Sequence, residues 1–377
     1  MTILFWFSTL LILYIYIGYP LLLRYLPKKS LAFTNIASLP RVTVLIPAFN
    51  EAKAIEGTIR NKLTQNYPAE LINIIVISDE SEDETDQIVK QIAAENPRVA
   101  LLRQTPRQGK TAGINLAMQQ AQGEIIIFSD ANSHYEQNAI ANLVACFSDP
   151  QVGYVTGKMI YVNSDGSLVG DGCSAYMKYE NHIRTLETQV DSVVGVDGGI
   201  DAIRKELYQP MNADQLPDFV LPLKVVTQGK RVIYCESALL NEESLSNSQS
   251  EFRMRVRVSL RAYWAMKDMK HLFNPFQYGI FSLQLVSHKL LRYLAFIPLL
   301  LAFISNGFIT HHTFYVLTFL IQILFYGSAA FVSLNDGTKN SWLGLANYFC
   351  LINVASAMAF VKFLKGEKIV LWKPRVG

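Results

Sequence analysis

The sequence predicts an α/β domain carried between membrane helices, and three observations predict it. Apolar runs at residues 42–46, 74–77 and 124–128 show no alternation, and each ends in a polar, acidic stretch. Short β-branched runs of that kind read as buried parallel strands. Helical patterns lie between them, so the strands align and bring their carboxyl ends to one edge, where open α/β sheets bind ligands. Long apolar stretches lie near both ends of the chain.

The elements follow in order. A strand at 42–46 leads to a helix over 51–65, broken by Asn66-Tyr67-Pro68. A strand at 72–77 leads to a helix over 85–95 that stops at Asn96-Pro97, and a short strand at 99–102 follows. A helix over 110–121 closes at Gly123, and the next strand is 124–128. This βαβαβαβ rhythm predicts a doubly wound sheet with right-handed crossovers. From Val152 the pattern is mixed, with strands near 152–162, 193–203 and 231–235 and helices near 171–189 and 218–228.

Residues 3–23 are long and apolar enough to cross a bilayer. Arg24, Lys28, Lys29 and Arg41 follow, which places the chain from residue 24 onward in the cytoplasm. A cleaved signal peptide is the alternative, but no basic segment precedes the apolar run and no small-x-small site follows it. Further spans fit at 290–307, 314–334 and 342–363. Three crossings from the cytoplasm would leave the carboxyl end outside, whereas Lys362, Lys365, Lys368, Lys373 and Arg375 argue that it is inside. Either one stretch fails to cross or residues 276–286 insert as a fourth. Residues 250–271 read as a basic amphipathic helix lying in the membrane interface.

Composition narrows the function. Hydrophobic residues make up 50% of the 377-residue chain, and the net charge is only +3, so no nucleic-acid partner is implied. The four cysteines show neither disulfide nor zinc spacing. A dinucleotide-binding Gly-x-Gly-x-x-Gly is absent after the first strand, where Pro47-Ala48-Phe49-Asn50-Glu51 stands. Gly109-Lys110-Thr111 lacks the first glycine of a phosphate-binding loop, because position 104 is Gln104.

An ordered series of motifs carries a resemblance. Pro47-x-x-Asn50-Glu51, Asp79-x-Ser81-x-Asp83-x-Thr85, Gly109-Lys110 with Asn115, and Asp130-Ala131-Asn132 resemble those of family 2 glycosyltransferases. Gly198-Gly199, Ala202-x-Arg204 and Pro217-Asp218-Phe219 continue the series in that family's order. With apolar stretches on both sides, the chain is similar to the membrane-bound, polysaccharide synthase-like branch. The resemblance implies a GT-A-type doubly wound mixed sheet flanked by transmembrane helices. It also implies a nucleotide-diphosphate sugar donor, Mg²⁺ or Mn²⁺, and inversion at the anomeric carbon.

The resemblance and the chemistry assign candidate roles. Asp130 is the first candidate metal ligand, and Asn132, standing where the family often has a second aspartate, is the other. Hard oxygen ligands suit a divalent cation that neutralises a departing nucleoside diphosphate. Pro47, Asn50, Glu51, Asp79, Lys110, Asp130 and Arg255 are the candidate donor-binding residues. Carboxylates suit the N–H and O–H donors of base and ribose, and an arginine fork suits phosphate. Asp218 matches the family's general base, with Asp214 its rival, and Gly198 and Gly199 would let backbone approach the acceptor. The family's processive members carry Gln-x-x-Arg-Trp after the base. Around Arg255 stand Phe252 and Val256, and around Arg257 stand Met254 and Val258, so the glutamine and tryptophan are missing.

The expectation is an inverting enzyme that moves one hexose or N-acetylhexosamine, first of all from a UDP-sugar, to a lipid-linked or glycan acceptor in surface polysaccharide or glycolipid synthesis. A processive synthase with a modified acceptor motif and an inert scaffold for a partner synthase are the alternatives. The expected partners are the donor, the acceptor and membrane lipids. The expected segments are a transmembrane helix at 1–24, a cytoplasmic catalytic domain at 40–245, interface helices at 248–289, transmembrane helices at 290–364 and a tail at 365–377. A bacterial-type inner membrane is the expected location.

Overall fold

Among the described residues the unbroken β-branched runs join shorter and mixed segments as the strands of one eight-stranded sheet. These are β1 (Val42–Ala48), β2 (Ile72–Ser78), β3 (Val99–Arg103), β4 (Ile125–Ser129), β5 (His134–Tyr135), β6 (Val152–Val162), β7 (Ile200–Arg204) and β8 (Arg231–Glu243). Their order is β3-β2-β1-β4-β7-β6-β8-β5. The first four in that order are parallel, which is why Val42, Val44, Ile46, Ile74, Val76, Ile126 and Ile127 are wholly buried. The computed structural model describes residues 1–34, 38–162, 172–243, 248–334 and 341–370. It divides the chain into two compact units: a sheet unit (28–168, 187–244 and 368–377) and a helical unit (1–27, 169–186 and 245–367).

In the sheet unit the second half of the sheet departs from doubly wound regularity. Strand β7 runs antiparallel to both β4 and β6, with Ser129 opposite Ile200 and Thr156 opposite Asp201. The start of β7 therefore lies beside the carboxyl end of β4. The strand expected over 193–203 begins only at Ile200, because Gly198 takes φ 85° just before it. The helix expected from Glu51 begins at Ile55, after a turn in which Asn50 adopts φ 55°.

Among its described residues the helical unit contains three helices long and apolar enough to cross a membrane: Thr2–Tyr25, Thr313–Ser333 and Leu343–Leu364. The straight span expected over 290–307 is instead a bent pair, Ile280–Tyr293 and Phe296–Gly307, meeting at 57°. The second member has 12 residues. At about 1.5 Å per residue it is too short to cross a core of about 30 Å without its partner. The expected amphipathic helix is Ser248–Asp268, and it packs along Ser341–Leu364. Its Leu260, Ala262 and Ala265 are buried, as are Ala355 and Ala359 of the partner helix, and small residues of this kind let helices approach closely. Much of its apolar face is thus covered by the chain itself. Cys146, Cys235 and Cys350 are free thiols. Lys373 and Arg375 of the basic tail lie outside the described residues, as does the side chain of Cys173.

Candidate active site

The site forms at the carboxyl edge of β1, β2 and β4, where three turns follow from local chemistry. After β1, the Asn50 amide donates to Ser81 Oγ (3.2 Å), that of Glu51 to Thr85 Oγ1 (2.9 Å) and that of Ala52 to Asp83 Oδ2 (3.1 Å). In return the Glu82 amide donates to Asn50 Oδ1 at 2.8 Å. Asn50, Glu51 and Ala52 are therefore locked to the 81–85 loop, while Pro47 stands opposite Ile77 at the end of β1. Asp83 serves this loop too, accepting the Thr85 amide at 3.0 Å.

After β2, Asp79 is buried and organises the 104–109 loop. Its carboxylate accepts Gln104 Nε2 (2.5 Å), the Gln108 amide (2.9 Å), the Gly109 amide (3.1 Å) and Arg107 Nε (3.2 Å). The Arg107 guanidinium lies 3.3 Å from the centre of the Phe49 ring. The contact of Asp79 with base or ribose expected from the sequence would be made by a carboxylate that these donors hold in place. What Asp79 visibly does is set Arg107 over Phe49 and position the loop that delivers Lys110.

After β4 comes Asp130, and a single helix fixes the loop beyond it. The helix Ile55–Leu63 turns Thr58, Asn61 and Lys62 towards residues 131–135. Thr58 Oγ1 donates to the Ala131 carbonyl at 2.7 Å, and Asn61 exchanges two hydrogen bonds with the Tyr135 backbone at 2.8 and 2.9 Å. Lys62 is fully buried, donates to the Ser133 carbonyl and lies 3.8 Å from the centre of the Tyr135 ring. Burial pulls its pKa well down, against the pull of Asp130. Tyr135 Oη donates to the carbonyls of Phe128 (3.1 Å) and Gly199 (2.9 Å), tying the end of β4 to the start of β7.

Lys110, first residue of the helix Lys110–Met118, joins the two key carboxylates. Its Nζ is 2.7 Å from Asp130 Oδ1 and 3.7 Å from Asp218 Oδ1. Burial alone would lower the ammonium pKa, but Asp130 and Asp218 outweigh that and push it up, so Lys110 is a fixed cation. The same helix holds the approach to Asp218. Asn115 Nδ2 donates to the Met211 carbonyl at 2.7 Å, and Thr111 Oγ1 to that of Gln215 at 2.8 Å. Asp218 stands in the first turn of the helix Pro217–Thr227, where the N-terminal end of the dipole favours a carboxylate. It lies against Gly198, where a β-carbon would come within 2.4 Å of Asp218 Oδ2. The rival Asp214 is ion-paired with Lys368.

The sheet unit thus brings together Asp79, Lys110, Asp130, Gly198, Gly199 and Asp218. Arg255 belongs to the helical unit, where its Nε is 2.8 Å from Glu251 Oε1 and its Nη2 donates to Tyr348 Oη at 2.6 Å. For a divalent cation, Asp130 offers a charged oxygen and Asn132 a neutral one. Among the described residues no three His, Cys, Asp or Glu side chains form a ready cage.

Asp201 was not expected from the sequence. It is wholly buried on β7, opposite Thr156, and neither carboxylate oxygen finds a well-formed hydrogen bond. Burial raises its pKa to about 8, with the charges of Asp218 and Asp197 adding to the rise and Thr156 and Tyr154 opposing it. The available signal was an acid between Ile200 and Ala202 in an otherwise apolar strand. Lys62 carried a similar signal, since Thr58, Asn61, Lys62 and Gln65 recur at helical spacing.

A mixed sheet of this order, with acidic turns at the ends of β2 and β4, defines an α/β domain of the GT-A type. The solved mannosyltransferase PcManGT from Pyrobaculum calidifontis, in complex with GDP-Man and Mn²⁺, shares the fold. It superposes with a TM-score of 0.73 at 21% identity, covering 97% of this chain and 99% of that one. Residues 43–210 match the profile of Glycosyl transferase family 2, and they are a domain of that family. A probable glycosyltransferase, YdaM, of Bacillus subtilis is 31% identical over 139 residues, 36% of this chain and 33% of that protein. A β-monoglucosyldiacylglycerol synthase of Trichormus variabilis is 26% identical over 171 residues, 45% of this chain and 36% of that protein. The matched region thus spans about a third of the length of these curated relatives.

Proposed function

We propose that this chain is an inverting membrane glycosyltransferase. It moves one hexose or N-acetylhexosamine from a nucleotide-diphosphate sugar, a UDP-sugar first of all, to a lipid-linked or glycan acceptor. Surface polysaccharide or glycolipid synthesis is the setting, with the sheet unit on the cytoplasmic side of a bacterial-type inner membrane. The observation that carries this reading is the placement of Asp130 and Asp218 on either side of one ammonium, at the edge where β4 ends and β7 begins. Asp218 is the general base: it takes the acceptor hydroxyl proton as the oxygen attacks the anomeric carbon, and the sugar–phosphate bond breaks on the opposite face. Lys110 and Arg107 supply fixed positive charge for the departing diphosphate. Asp130 and Asn132 would hold Mg²⁺ or Mn²⁺, whose charge neutralises that leaving group when bound. Pro47, Asn50, Glu51 and Asp79 shape the donor pocket, and Gly198 and Gly199 form the acceptor floor.

The test is nucleoside-diphosphate release in native membranes, offering UDP-, GDP- and TDP-sugars with Mg²⁺ or Mn²⁺. Release from one donor, dependent on the ion and lost in Asp218→Asn, supports the reading and identifies the sugar. Undiminished release by Asp218→Asn would remove Asp218 as the base. A ladder of oligomeric products would replace single transfer with processive synthesis.

A further inference from the structure

The transfer reaction leaves two buried thiols of the sheet unit unused, and the fold brings them together. Cys146 opens a short 3₁₀ turn, Cys146–Ser148, at the carboxyl end of the helix Ala139–Ala145, and Cys235 lies on β8. Both thiols donate to one acceptor, the Asn142 carbonyl, Cys146 Sγ at 3.4 Å and Cys235 Sγ at 3.6 Å. Each sulfur is also within hydrogen-bonding reach of the other. Asn142 Nδ2 donates to the Ser237 carbonyl at 2.6 Å, which clamps the helix to the strand. Here β8 leaves its register. Tyr234 stands opposite Thr156 and Leu239 opposite Lys158, so residues 235–238 loop out against Gly157 alone. A β-carbon at Gly157 would come within 2.6 Å of the Ala238 carbonyl, so the loop relies on that glycine. The loop aims donors back at Cys235: Ser237 Oγ is 3.4 Å from its sulfur, and the amides of Ser237 and Ala238 face it.

We propose that Cys146 and Cys235 form a redox pair, which a peroxide converts into a disulfide and a thiol reductant restores.

A buried cysteine is ordinarily a small apolar filler. These two differ because they face each other and because donors converge on one of them. Hydrogen bonds from Cys146, against the pull of burial, and from Ser237 and the two amides lower the Cys235 pKa. The bond to Cys235 and burial both raise that of Cys146. The roles therefore divide: Cys235 attacks as thiolate and Cys146 resolves. The Cys235 sulfur attacks one peroxide oxygen, so an S–O bond forms, the O–O bond breaks, and the departing hydroxide leaves as water with the thiol proton. Cys146 then attacks the Cys235 sulfur. An S–S bond forms, the S–O bond breaks, and hydroxide departs with the Cys146 proton as a second water. Two thiols and one peroxide thus give one disulfide and two waters. The residues keep 8% and 7% of their exposure, a narrow opening that favours a small oxidant such as hydrogen peroxide. In a reducing compartment a bond of this kind is transient and redox-sensing. It would tie the helix Ala139–Ala145 to the strand whose Leu240 and Asn241 pair with β5, just beyond the Asp130 loop. The inference stands on the sheet unit alone and does not depend on the transfer reaction.

The test uses the full chain, purified in detergent under a reductant that is then removed. Hydrogen peroxide is added, the remaining thiols are alkylated in denaturant, and unreduced peptides are mapped by mass spectrometry. The expected result is one linked pair of peptides carrying Cys146 and Cys235, about 2 Da lighter than the two reduced peptides together. Dithiothreitol should abolish the link, and Cys173 and Cys350 should be alkylated throughout. In Cys146→Ser the attacking sulfur has no resolving partner, so dimedone should trap Cys235 as a sulfenic acid, about tenfold more than Cys350. Cys235→Ser should leave Cys146 a reduced thiol at the same dose. Cys146 and Cys235 remaining unlinked at a dose that fully oxidises added glutathione would overturn the proposal. So would linkage of either one to Cys173 or Cys350, or equal dimedone labelling of Cys235 and Cys350. The peptide map of the natural chain needs no substitution, so a variant that fails to fold does not spare the proposal.

Discussion

The two units hold ion clusters of opposite openness. In the sheet unit, Asp130 and Asp218 share Lys110, and their side chains keep 36% and 27% of their exposure. In the helical unit, Glu180 is held by Arg292 and His288, with exposures of 5%, 12% and 1%. The first cluster sets two carboxylates against one ammonium and keeps them partly exposed, as the proposed chemistry requires. The second is sealed, its carboxylate met by a guanidinium and an imidazole. A similar grouping of acid and base thus suits reaction in one place, on the reading proposed above, and architecture in the other. The difference lies in access.

Substitutions that remove one charge from each cluster test this contrast. Asp218→Asn should lower transfer about 10²–10⁴-fold, the usual worth of a positioned general base, with little change in thermal midpoint. Steady-state turnover beside a melting curve checks both halves, and a large stability loss would place Asp218 with the architecture instead. Glu180→Gln should do the reverse. It leaves Arg292 in a low-dielectric interior without its anion, at a cost of about 3–5 kcal/mol read as a lower unfolding midpoint. Should Glu180→Gln melt like the natural chain, the sealed cluster would not be holding the unit. Lys110→Met falls between them. It removes a fixed cation from the leaving-group side, for a loss of about 10²-fold in turnover, and leaves Asp130 and Asp218 facing each other. A substitution that costs only stability would show that Lys110 merely separates the two acids.

The parallel half of the sheet was legible because β1, β2 and β4 are buried on both faces and so read as continuous apolar runs. Their acidic turns were legible for the same reason, as polar residues at abrupt ends. The antiparallel half was harder. The break at Gly198 depends on a positive φ and a neighbouring Asp218 carboxylate that no local pattern reveals. The bend between Tyr293 and Phe296 was hidden because an apolar stretch looks alike whether it is straight or broken. Asp79 shows the limit most clearly. Its position was readable, but its partners at Gln104, Arg107, Gln108 and Gly109 come from a loop whose path only the fold defines. The expectation for Arg255 was contact with the donor phosphates, whereas its place in the helical unit beside Glu251 and Tyr348 was not legible.

Asp201 gives the finest test, because it lies in the sheet unit yet is as sealed as Glu180. Its carboxyl has a folded pKa of about 8 against an ordinary value of 3.8, raised first by burial and then by Asp218 and Asp197. Below about pH 4 the acid is protonated in both folded and unfolded chains, and burial costs no ionisation. As pH rises towards 8, the unfolded chain releases the proton while the folded chain keeps it, so stability falls through that window and levels off above it. Asp201→Asn keeps the shape and cannot ionise. The variant should therefore match the natural chain near pH 4 and exceed it by a margin that grows to a few kcal/mol by pH 8, since each unit is worth about 1.4 kcal/mol. Melting curves at half-unit pH steps would show the two chains diverging. Parallel curves would mean that Asp201 ionises normally, held by Tyr154 and Thr156 as an ordinary anion. In that case the sheet unit, like the helical unit, would have to satisfy a sealed charge from within.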